Sequence, residues 1–128
     1  MKNFLHSAIL VICFFSNLPP QTVVDLINAA TGNDFSLSDV MESGDRGWNL
    51  KRAINNRLGL NRTNDKLPRP LLQPLEDGGA AGFVPDLEAM LDAYYQARGW
   101  DPESGFPTKE KLIALGMDWV AADLWPEN

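Results

Sequence analysis

Histidine and cysteine are almost absent from this chain: His6 and Cys13 are single examples among 128 residues. One cysteine supports neither an internal disulfide framework nor a zinc site of the multi-cysteine type. One histidine excludes a His-rich metal centre built from this chain alone. A hydrolytic triad would have to use His6, which sits in an apolar run with no acid within several residues. Basic charge is also scarce, with 11 Lys and Arg against 17 Asp and Glu and a net charge of -6. Arg46, Lys51, Arg52 and Arg57 share one helical stretch, where pairing with nearby acids accounts for them better than phosphate binding. Nucleic acid is therefore rejected as a partner.

Long apolar runs are missing too. The opening MKNFLHSAILVICFFSNLPP is shorter than the span of about 20 apolar residues that crosses a bilayer. Its lysine and apolar core loosely fit an export signal, but Phe15-Ser16-Asn17-Leu18 offers no small-x-small cleavage site. Ile12 is too large to precede a lipoprotein cysteine. No membrane partner is expected, and a segment buried inside a larger protein is the physical alternative. Taken alone, Cys13 between Ile12 and Phe14 reads as a small buried hydrophobe.

What is present is ordinary globular composition: 45% hydrophobic and 22% charged residues, enough chain for one domain over residues 1–128. Leu18-Pro19-Pro20 is a stop, and Pro20 is placed to open a helix. Val23, Val24, Leu26, Ile27 and Ala30 follow at helical spacing, closed by Gly32-Asn33. Ser36-x-x-Asp39 fits a capping pattern for a second helix running to Leu58, with Val40, Trp48, Leu50, Ala53 and Ile54 expected inward. Gly44 and Gly47 each weaken it by about 1 kcal/mol.

From Gly59 to Pro85 the chain carries Pro68, Pro70, Pro74 and Gly78-Gly79, and reads as an extended arm. Leu67, Leu71, Leu72 and Leu75 are its expected anchors to a surface. Pro85 is expected to start a third helix with an apolar stripe of Leu87, Met90, Leu91, Tyr94 and Tyr95, capped by Gly99. Two short helices complete the chain, one carrying Leu112, Ile113 and Leu115, the other running from Trp119 to Trp125. Asp86, Glu88 and Asp92 read as helix-dipole acids rather than a cation site. Tyr94 and Tyr95 read as core or interface residues rather than an electron relay. The expected fold is all-α: an irregular multi-helix domain with a long Pro/Gly-rich extended arm.

The stretches WNLKRAINNRLGLNRTNDKLPRPLLQ and LEAMLDAYYQARGWDPESGFPTKEKLIALGM, preceded by LINAATGNDF, resemble the C-terminal part of the tungsten-containing aldehyde ferredoxin oxidoreductase family. The pattern runs in family order from Trp48 to Gly116, and with the NAATG helix end it covers essentially the whole chain. The resemblance implies part of an enzyme that oxidises aldehydes to carboxylic acids and passes electrons through a [4Fe-4S] cluster to ferredoxin. It implies a cytoplasmic location, and a tungsten or molybdenum bis-pterin held mainly by upstream domains or a separate subunit. Three cluster cysteines would lie upstream, and Cys13 stands where the family places the fourth. A cluster needs four thiolates, so the chain alone is expected to be inactive. The family's D-x-x-G-L-C motif is not kept: Ala8 and Val11 replace its Asp and Gly, and pterin contact is not carried over. The alternatives are a free-standing, non-catalytic helical interaction module and, more weakly, a small exported protein.

Overall fold

The structure is a computed structural model that describes residues 18–126. Among the described residues it consists of α-helices, short 3-10 turns and loops, with only isolated β-bridges. The all-α expectation holds. Five helices are described: α1 (Pro20–Thr31), α2 (Leu37–Arg57), α3 (Leu87–Arg98), α4 (Lys109–Ala114) and α5 (Asp118–Leu124).

Local chemistry sets most of the boundaries. Pro20 occupies the first turn of α1, and Gly32 closes it in the left-handed region at φ 72°, where a Cβ is unfavourable. The turn that follows is held by Asn28, whose amide donates to the Phe35 carbonyl at 2.9 Å and accepts from the Phe35 N–H at 2.9 Å. Ser36 then caps α2 reciprocally with Asp39. The Ser36 hydroxyl accepts from the Asp39 N–H, and the Asp39 carboxylate accepts from the Ser36 N–H at 2.8 Å. The Ser36 hydroxyl also donates to that carboxylate at 2.7 Å, and this bond with the one from the Ser36 N–H holds the Asp39 carboxyl below the usual range.

The apolar core lies between the second half of α2 and the two short C-terminal helices. Ala53, Leu112, Leu115, Met117, Val120 and Ala121 form it, with Leu50, Leu124 and Trp125 packed against them. α5 packs on α2 and α4 packs on α5.

Three sequence expectations are corrected. α3 starts at Leu87 rather than Pro85, because the Asp86 side chain caps it by accepting from the Ala89 N–H. Ile54 is 53% exposed, and the inward face of α2 carries Asn49, Arg52, Ala53 and Asn56 instead. Of the arm's four expected anchors Leu67 is half-buried, but Leu71, Leu72 and Leu75 are exposed, as are Phe83 and Val84.

Candidate functional site

Three polar residues on the buried face of α2, Asn49, Arg52 and Asn56, follow at helical spacing. Burying an arginine is costly unless its charge and its N–H groups are met. Here they are met from three directions. Arg52 Nε donates to the Gly105 carbonyl at 2.7 Å. Its two terminal nitrogens donate to the two oxygens of Asp65, at 2.9 and 2.7 Å. That is the two-point geometry in which arginine and carboxylate pair best. The Tyr95 hydroxyl donates to the same carboxylate, and the Tyr95 ring is buried. The guanidinium also lies over the Trp100 ring, 4.9 Å from its centroid, a favourable cation–π position.

The lock joins four separated pieces of chain. α2 supplies Arg52, the head of the arm supplies Asp65, α3 supplies Tyr95, and the turn before α4 supplies Gly105. Gly105 has φ 73°, and a Cβ there would run into the Arg52 guanidinium and the Tyr95 hydroxyl. Asn49 extends the network by accepting from Trp100 Nε1 at 2.8 Å. Asn56 donates to the Leu60 carbonyl, while its buried Oδ1 finds no donor among the described residues.

Burial by itself would raise the Asp65 carboxyl. The hydrogen bonds from Arg52 and Tyr95 and the charges of Arg52 and Arg62 outweigh it, and the group stays below the usual carboxylate range. The Tyr95 phenol is pushed up to about 12, first by burial and then by its bond to the Asp65 carboxylate. Both shifts describe a charged, closed network at neutral pH. Such a network holds structure and leaves no group poised to exchange a proton.

Outside the lock, Arg62 donates to the Pro102 carbonyl at 2.8 Å and pairs with Glu88 at 2.7 Å and Asp92 at 2.8 Å. Glu88 in the first turn of α3 and Asp92 in its second therefore tie that helix to the arm, and Asp86 is a cap. Three of the four basic residues of α2 pair with acids as expected, through Arg46–Glu42, Arg52–Asp65 and Arg57–Asp123, whereas Lys51 stands over the Trp48 ring instead. Beside the lock a cavity of about 340 Å³ opens, walled by Trp48, Leu91, Tyr94 and Trp100, with Lys51 and Lys66 also lining it.

Cys13, the one site residue the sequence nominated, lies outside the described residues, as do His6, Ala8 and Val11. Among the described residues no group of three His, Cys, Asp or Glu is placed to hold a metal ion. No described helix is long and apolar enough to cross a membrane. The lock was not foreseen from the sequence, which took Arg52 as one member of a salt-bridged face. The signal available was the Asn49-x-x-Arg52-x-x-x-Asn56 spacing, which marks one helix face as polar.

These features define an all-α domain built on a helix–arm–helix corner. The model for aldehyde ferredoxin oxidoreductase, domains 2 & 3, matches residues 3–117, and the chain belongs to that family. The tungsten-containing aldehyde ferredoxin oxidoreductase of Pyrococcus abyssi is 39% identical over 111 residues, covering 84% of this chain and 18% of that protein. The enzymes of the same name from Pyrococcus furiosus and Thermococcus kodakarensis are 38% and 37% identical over 110 residues, each match covering 83% of this chain and 18% of the relative. The solved active site complex BamBC of benzoyl coenzyme A reductase, in complex with 1,5-dienoyl-CoA, superposes with a TM-score of 0.67 at 25% identity. That match covers 83% of this chain and 15% of the other. The chain thus spans less than a fifth of the length of the curated relatives it matches.

Proposed function

We propose that this chain is the C-terminal portion of an oxidoreductase that oxidises aldehydes to carboxylic acids and passes electrons through a [4Fe-4S] cluster to ferredoxin. The observation that carries this is the family match over residues 3–117, which includes both Cys13 and the Trp48–Gly116 pattern. In this reading Cys13 supplies one cluster thiolate, and the remaining ligands and the tungsten or molybdenum bis-pterin belong to domains outside this chain. The donor set agrees with that division. A cluster takes four thiolates, and this chain has one cysteine. Apolar Ile12, Phe14 and Phe15 beside it suit a thiolate shielded from water, where exposure tunes the cluster's potential. The described residues contribute architecture: the lock fixes α2, the arm and α3 relative to one another.

The test begins with the DNA directly upstream of the Met1 codon, read in all three frames for Cys-x-x-Cys-x-x-x-Cys. The encoded polypeptide is then purified without oxygen together with this chain. Four irons per complex and a reduced [4Fe-4S] paramagnetic signal are expected, with both lost or altered in Cys13→Ala. An unchanged iron count and signal in Cys13→Ala would remove Cys13 from the cluster. If no upstream frame encodes the motif and no separate subunit supplies it, the oxidoreductase reading falls and a non-catalytic interaction module takes its place.

A further inference from the structure

We propose that the cavity beside the lock is a binding site for a small carboxylate carrying one aromatic ring. The cavity, about 340 Å³, is lined by Trp48, Leu91, Tyr94 and Trp100 with Lys51 and Lys66. That is the lower end of the volumes that take small molecules, about 300–1,000 Å³, and suits a single ring with a short chain.

The polar atoms of its aromatic wall are already engaged, and the Asn55 amide is a further polar group in the lining. Trp48 Nε1 donates to the Tyr94 hydroxyl at 2.8 Å, and Trp100 Nε1 donates to Asn49 Oδ1 at 2.8 Å. The Arg52 and Asp65 groups that reach the cavity are spent on each other and on Tyr95 and Gly105. A guest therefore meets ring faces and leucine carbon, where stacking and edge-to-face contact favour an aromatic body.

The charge of the lining is what selects the guest's other end. Lys51, Arg52 and Lys66 face one acid, Asp65, which the lock neutralises. Among the described residues no carboxylate lies within ion-pair distance of Lys51 or Lys66. In a chain of net charge -6 this is a local cationic spot beside an apolar wall. Lys51 Nζ stands 5.5 Å from the centroid of the Trp48 ring, which places an ammonium next to the site of the ring. An anionic head with an apolar body fits both halves, because each lysine offers a compact charge and mobile donors.

Binding of this kind needs neither cluster nor tungsten, so it stands or falls separately from the oxidoreductase reading. The test uses the full 128-residue chain labelled with nitrogen-15, titrated with phenylacetate and, in parallel, with its neutral amide. The indole N–H signals of Trp48 and Trp100 are expected to move saturably, while that of Trp119, 68% exposed on α5, stays in place. Phenylacetate is expected to bind roughly tenfold tighter than the amide, the size of two exposed charge contacts. Reversing the two exposed lysines, Lys51→Glu with Lys66→Glu, should abolish that preference. Lys51→Gln and Lys66→Gln serve if the reversed variant loses its indole spectrum. Absence of saturable shifts, equal binding of acid and amide, or an unchanged preference in the lysine variants would each overturn the proposal. Binding seen only with a peptide that carries Phe beside Glu would also overturn it, and would make the cavity a seat for a polypeptide segment.

Discussion

The corner around Arg52 and the arm that leaves it are built on opposite terms. In the corner, charges are met inside the chain: one carboxylate serves a guanidinium and a phenol, and four pieces of chain converge on them. Along the arm from Arg69 to Val84, Leu71, Leu72, Leu75 and Phe83 are each more than two-fifths exposed. The first region is self-sufficient, and the second leaves apolar surface unmet by this chain's described residues. Exposed apolar patches mark surfaces that partners cover, and the stretch matched in the Pyrococcus abyssi relative is 18% of that protein.

Breaking the corner should have the largest effect. Gly105→Ala puts a Cβ against Arg52 and Tyr95 at a positive φ, which combines strain with overlap. A loss of about 4 kcal/mol in urea unfolding is expected. Asp65→Ala leaves a buried guanidinium without its counter-charge, for a loss of about 3 kcal/mol by the same measurement.

Tyr95→Phe removes one donor to the carboxylate and should cost about 1–2 kcal/mol. It should also change the alkaline limb of stability. Tyr95 holds its proton more tightly when folded. Its contribution is complete below the unfolded phenol value of about 10 and is lost as pH rises towards the folded value. Thermal unfolding followed from about pH 9 upward should show that decline in the parent chain and less of it in the variant.

The acid limb reads Asp65. Its folded pKa is depressed, so its contribution is complete above the unfolded value of about 4 and is lost as pH falls below it. In Asp65→Asn that part of the acid dependence should disappear.

The arm should give the smallest effect on folding and a clear one on association. Leu72→Ser with Leu75→Ser should shift unfolding by no more than about 0.5 kcal/mol. Light scattering should show less self-association of the isolated chain. A large loss of stability in that variant would mean that the arm packs on this domain, and the contrast between the two regions would fail.

Helix positions were legible because their signals are local. Pro20, Gly32, the Ser36–Asp39 box and Gly99 act within a few residues of the ends they set. The start of α3 was missed by two residues because two opening signals compete there, Pro85 and the Asp86 cap. The candidate site divides the same way. Cys13 was nominated by a pattern in the sequence and lies outside the described residues, so its role rests on the family. The lock and the cavity were invisible, because Arg52 and Asp65 are 13 residues apart and Arg52 and Gly105 are 53 apart.

By itself the sequence determined the all-α class, the order of helices, the pairing of the α2 arginines with acids, and the family. Each depends on spacing or capping that acts over a turn or two of chain, or on a long shared pattern. Only the tertiary structure decided that the inward face of α2 carries a row of polar residues and that Leu71, Leu72 and Leu75 of the arm stay uncovered. A polar face can be buried only if distant residues supply its partners, and an apolar segment is covered only if a surface reaches it. Both conditions are set by where separate pieces of chain meet in space, which local pattern does not encode.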